Sequence, residues 1–159
     1  MKKIFYKLFL LILIISCSSE NIFLSFEDTP NGWEYKNPIK FNFSAPDEAI
    51  NISLILRLDK SYPFSNMFII YKIVSGENII TDTFELDLMK EKKDIFSNNS
   101  LSLYNHNFLI AENIILKASN VSVELSHATR YLDNIKAEEK LTGILSVGLL
   151  VERFPDEKL

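Results

Sequence analysis

Ile50-Asn51-Ile52-Ser53-Leu54-Ile55-Leu56-Arg57-Leu58-Asp59 is the stretch that decides the fold. Ile50, Ile52, Leu54, Leu56 and Leu58 recur at every second position, set against Asn51, Ser53, Arg57 and Asp59. Successive side chains of a strand point to opposite faces, so this period predicts a strand with one face in a core. Just before it, Ile39, Phe41 and Phe43 alternate with Lys40, Asn42 and Ser44. After it, Met67 to Val74 is apolar on both faces apart from Lys72, the pattern of a central strand, and Ser75-Gly76-Glu77-Asn78 supplies a turn into Ile79. Phe84, Leu86 and Leu88 alternate with Thr83, Glu85 and Asp87. The same period returns in Val121, Val123 and Leu125, and again in Leu145, Val147, Leu149 and Val151.

Between these runs, Met89 to Asn99 is charged and then Asn-rich, which reads as a long exposed loop, with a short edge strand over Leu101 to Tyr104. Arg130 to Lys140 carries Leu132 and Ile135 at helical spacing, with Glu138, Glu139 and Lys140 outward, and predicts one short surface helix ended by Gly143. About seven to eight short strands without long helical crossovers define an all-β class, an antiparallel β-sandwich.

The chain opens with Met1-Lys2-Lys3-Ile4-Phe5-Tyr6-Lys7, an apolar run from Leu8 to Ile15, then Ser16 and the single cysteine, Cys17. A charged start, a short apolar stretch and Ile14-Ile15-Ser16-Cys17 have the form of a bacterial lipobox. The apolar run is far short of the roughly 20 residues that span a bilayer. Residues 1–16 therefore read as a cleaved lipoprotein signal peptide, 17–30 as the lipidated cysteine with a tether and entry segment, and 31–159 as the β-sandwich domain. A covalent lipid on Cys17 is the one attached group expected; no other cofactor is. Acyl chains contribute about 0.8 kcal/mol per buried methylene, enough for several chains to hold a domain at a membrane.

Removing residues 1–16 takes away Lys2, Lys3 and Lys7, and the net charge moves from -4 to -7. An acidic domain argues against nucleic acid, whose phosphates need clustered Lys and Arg. With one cysteine no intrachain disulfide forms, so stability rests on packing.

Candidate chemistry is sparse. His106 and His127 lie far apart, with no second imidazole or thiol at metal spacing. Asp82, Glu85 and Asp87 share a strand, but Asp82 points away from the other two. No serine has a G-x-S-x-G context. No catalytic residue, metal ligand or small-molecule substrate is expected. Trp33, Tyr35, Tyr62 and Tyr71 could stack on sugar rings or fill the core. Arg57 is expected to pair with Asp59, Asp82 or Asp87 across strands.

Three segments carry a family resemblance. They are Leu56-Arg57-Leu58 leading to Tyr62-Pro63-Phe64-Ser65-Asn66-Met67-Phe68-Ile69, then Thr81-Asp82-Thr83-Phe84-Glu85-Leu86 after the Gly76 turn, and Leu141-Thr142-Gly143 running through to Glu152. With Trp33 and Arg130, they make the chain beyond Cys17 resemble the gliding-motility lipoprotein H family (GldH). It departs from that pattern at Met89 to Phe96, where relatives carry Gly and Trp, and at Ser119-Asn120-Val121, where they carry Gly-Tyr.

The resemblance implies a non-enzymatic lipoprotein of the cell envelope, an accessory component of the gliding motility machinery and of linked protein secretion. Its lipid anchor would sit in the outer membrane, with the domain facing the periplasm and other gliding or secretion envelope proteins as partners. Arg57, Tyr62 and Pro63 are the candidate partner-binding residues, because aromatic and Arg side chains dominate binding hot spots. A lipid-anchored module for glycan or peptidoglycan is the alternative, and an envelope hydrolase would need a motif the chain lacks.

Overall fold

The computed structural model describes residues 21–88 and 103–155. Cys17, the loop expected over 89–99 and residues 101 and 102 lie outside them. Ten strands follow in order: β1 (Asn21–Asp28), β2 (Trp33–Glu34), β3 (Ile39–Ser44), β4 (Ile50–Asp59), β5 (Asn66–Ser75), β6 (Asn78–Asp87), β7 (Leu103–Ile114), β8 (Asn120–His127), β9 (Lys140–Leu141) and β10 (Ile144–Arg153). Every pairing among the described residues is antiparallel.

The first sheet has the order β1-β10-β4-β7 and the second β3-β8-β5-β6, with β2 and β9 forming a two-stranded ribbon. One buried cluster draws on both large sheets, taking Leu54 and Leu56 from β4, Val147 and Leu149 from β10, Ile69 and Ile73 from β5, and Val123 and Leu125 from β8. That is the layer arrangement expected of a sandwich. Ile50, Ile52, Leu54 and Leu56 are fully buried, as the period of β4 requires, and Met67, Ile69 and Ile73 line the inner face of the central strand β5.

Several expectations differ from the structure. Residues 21–28, read as part of a tether and entry segment, form β1, which pairs along β10 from Asn21↔Glu152 to Asp28↔Ser146.

The expected surface helix over 130–140 is absent, since no helix occurs among the described residues. Leu132 and Ile135 offered a two-residue apolar stripe, too little to bury against a neighbour, and short helices depend on such packing. The segment closes instead as a loop, through Asn134 N donating to Tyr131 O (3.0 Å) and Glu138 N to Thr129 O (2.8 Å).

Of the edge strand expected over 101–104, Leu103 and Tyr104 are described, and they open a twelve-residue strand, β7. Register shifts opposite Ile50 to Ser53 break its period. The turn expected at Ser75 to Asn78 joins β5 to β6, and β6 runs unbroken from Asn78 to Asp87, where the alternation had marked only its second half from Thr83.

Gly143 ends no helix. It sits in the β9–β10 turn at φ +79°, where a Cβ would fall 2.1 Å from Tyr62 N. A bulge between Ile144 and Ser146 puts Ile144 rather than Leu145 in the core.

Candidate interaction end

The register separates the sandwich into two ends. Asn21, Glu152 and Asn51 lie at the end where β1 begins, while Asp28, Ser146 and Arg57 lie at the other. The second end also gathers the β4–β5 turn, the loop after β8 and the β2–β9 ribbon, because Gly143 O accepts from Asp59 N (2.9 Å) and Ala128 N donates to Phe68 O (2.8 Å).

At this end Asp59 opens the turn. Its Oδ1 accepts from Ser61 N (2.7 Å) and Ser61 Oγ (2.6 Å), an Asx-type closure that holds its carboxyl below the usual carboxylate range. Tyr62 then turns inward. Its hydroxyl donates to Asn66 O (2.9 Å), its ring packs edge-on to Phe64, and burial pushes its phenol well above the ordinary range, with the Thr129 hydroxyl offsetting part of that. Thr129 is itself buried and accepts from Phe68 N (3.0 Å). Pro63 stays exposed.

Arg57 does not pair with Asp59, Asp82 or Asp87. Its neighbours across the sheet are Ser146 and Asn105, and Asp82 and Asp87 belong to the other sheet. The guanidinium carbon instead lies 4.5 Å from the centroid of the Phe26 ring. Phe26 can lie there because Gly148 has no side chain: a Cβ would stand 2.5 Å from Phe26 Cε1. A cation over an aromatic face is worth about 0.5–1 kcal/mol at an exposed site.

The three candidate residues thus share one end without sharing one surface. Arg57 is on the outer face of the first sheet, Tyr62 points into the interior, and Pro63 looks outward.

The apolar surface that sequence reasoning missed is on the loop after β8. Phe64 contacts Tyr131 at 4.8 Å between ring centroids, and beyond it Tyr131 is 53% exposed, Ile135 90% and Leu132 101%. The spacing of Leu132 and Ile135 was visible in the chain, but it pointed to a helix face rather than to a loop tip.

The glycan reading loses its platform. Trp33 and Tyr71 are buried, leaving Tyr35 as the member of that set with substantial exposure. Trp33 and Tyr35 instead flank His127, edge-on at 5.5 and 5.9 Å. That histidine is fully buried, and neither ring nitrogen has a hydrogen-bond partner among the described residues. Burial lowers its pKa to about 4, and the Trp33 backbone offsets only part of the effect. His106 is buried on β7, in the other sheet. Among the described residues no group of three or more His, Cys, Asp or Glu could hold a metal ion.

The described residues thus form an all-β domain with buried histidines and an exposed apolar tip at its second end. The comparison with known proteins gives the family: the sequence model described as GldH lipoprotein matches residues 21–151, and the chain belongs to that family. It is also similar to the gliding motility lipoprotein GldH of Flavobacterium johnsoniae (strain UW101), 24% identical over 145 residues that cover 89% of this chain and 91% of that protein. The matched segment runs from the first residue of β1 into β10, so the edge strand β1 is part of the family domain.

Proposed function

We infer that the protein is a non-enzymatic accessory subunit of the gliding motility apparatus and of the protein secretion linked to it. The observation that carries this is the family match across the whole β domain. Cys17, after Ile14-Ile15-Ser16, carries the lipid that holds the chain at the outer membrane, with the domain in the periplasm. Its partners are other envelope proteins of the apparatus, met through the end that bears Arg57, Tyr62 and Pro63. Tyr62 acts there by bracing the turn that displays Pro63, since its ring is turned inward and its hydroxyl is bonded to Asn66.

The reading is tested by affinity isolation of the tagged, full-length lipidated chain from detergent-solubilised envelopes, alongside sedimentation with purified peptidoglycan. Enrichment of gliding or secretion envelope proteins supports it. Sedimentation with the glycan and no enriched protein would replace it with the glycan-binding alternative.

A further inference from the structure

Leu132 and Ile135 are the most exposed large apolar side chains among the described residues, at 101% and 90%. A loop tip bearing two such groups gains nothing for the isolated domain, because neither removes apolar area from water. The tip is nonetheless held in shape. Asn134 N bonds Tyr131 O, Lys136 N bonds Asn134 Oδ1 (3.2 Å), Arg130 Nη1 bonds Ile135 O (3.1 Å), and Glu138 N closes the base on Thr129 O. Thr129 in turn ties the loop to β5 through Phe68 N. An ordered loop loses less entropy when it docks than a floppy one does.

Two occupants are chemically possible for an apolar tip, a bilayer or a protein, and the chain length favours the protein. From Cys17 to Asn21 the backbone reaches at most about 14 Å. β1 then runs eight residues away from that point, about 24 Å of strand, to the end where the tip stands. A lipid on Cys17 therefore holds the opposite end of the sandwich next to its membrane and directs the tip away from it.

We propose that Leu132 and Ile135, backed by Tyr131 and Phe64, form the membrane-distal docking element and insert into an apolar pocket on an envelope protein. This rests on the function inferred above and adds to it the surface and the chemistry of the partner site.

The test places a photo-crosslinking amino acid at Leu132 in the full-length lipidated chain in living cells, with Ile115, 65% exposed near the opposite end, as the control position. In parallel, Leu132→Asp combined with Ile135→Asp is compared with the unsubstituted chain in affinity isolation. The expected result is a crosslink from position 132, and not from 115, to one envelope protein. The double substitution should reduce recovery of that same protein by about tenfold or more, as expected when two anchors of a hot spot are removed. The variant should keep its abundance and lipidation, since neither side chain is packed. Crosslinks from position 132 to phospholipid, or full recovery of the partner by the double variant, would overturn the proposal and leave the functional reading intact. An unsubstituted chain that recovers no envelope protein would overturn both.

Discussion

Acidification should destabilise this domain through His127, and the size of the effect follows from where the ring sits. In the folded chain the imidazole is fully buried between Trp33 and Tyr35, neither ring nitrogen has a hydrogen-bond partner among the described residues, and its pKa falls to about 4. In the unfolded chain it returns to about 6.5. Above pH ~6.5 both states hold the neutral ring and no penalty exists. Between pH ~6.5 and ~4 the unfolded chain binds the proton and the folded chain does not, so stability falls as pH falls. Below ~4 the loss is complete, at about 3 kcal/mol for a shift of roughly 2.5 units at 1.36 kcal/mol each.

Carboxylates also titrate at the lower edge of that window, so the quantity to measure is a difference. Urea melts of the unsubstituted chain and of His127→Phe, each at pH 7.5 and at pH 4, isolate the histidine. Phe keeps an aromatic ring against Trp33 and Tyr35 and cannot charge. The unsubstituted chain should lose about 3 kcal/mol more than the variant on going to pH 4. Equal losses in the two proteins would show that the ring is protonated in the fold or solvated there, and would refute the reasoning.

Other outcomes follow from burial and backbone geometry. Leu54→Ala empties a fully buried site and should cost about 2–5 kcal/mol in a denaturant melt, whereas Leu132→Ala, at a fully exposed site, should stay within about 0.5 kcal/mol. Gly143→Ala should cost at least about 1–3 kcal/mol from its left-handed φ alone, and more from the approach of a Cβ to the Tyr62 backbone, read as a lowered melting midpoint. Cys17→Ser should abolish labelling by an alkyne fatty acid and release the chain from the membrane fraction, and equal labelling of the variant would place the lipid elsewhere.

The fold was most legible where one period ran long enough to be read. β4, β3 and β8 announced their buried faces by strict alternation, and the central position of β5 followed from a strand apolar on both sides. The edge strands were harder. β1 carries Ile22-Phe23-Leu24 in sequence because Leu24 and Phe26 lie on the outer face beside Leu150 and Gly148, so its alternation is blurred. β7 hides its inner face behind Asn105, Asn107, Glu112 and Asn113 and is interrupted where the register shifts.

The loop at 130–139 was misread for a simple reason. Two apolar residues three apart satisfy a helix and a displayed loop tip equally, and only the hydrogen bonds to Thr129 and Ile135 distinguish them. Arg57 was legible as exposed, but its partner was not. The aromatic face that receives it comes from β1, more than a hundred residues from the glycine that makes room for that ring.

Whether this lipoprotein serves gliding is decided by deleting its gene in the organism that carries it and tracking single cells on a glass surface. Deleted cells should stop gliding, and the full chain supplied in trans should restore movement, while Cys17→Ser should not. Deleted cells that move at the speed of the parent would contradict that role.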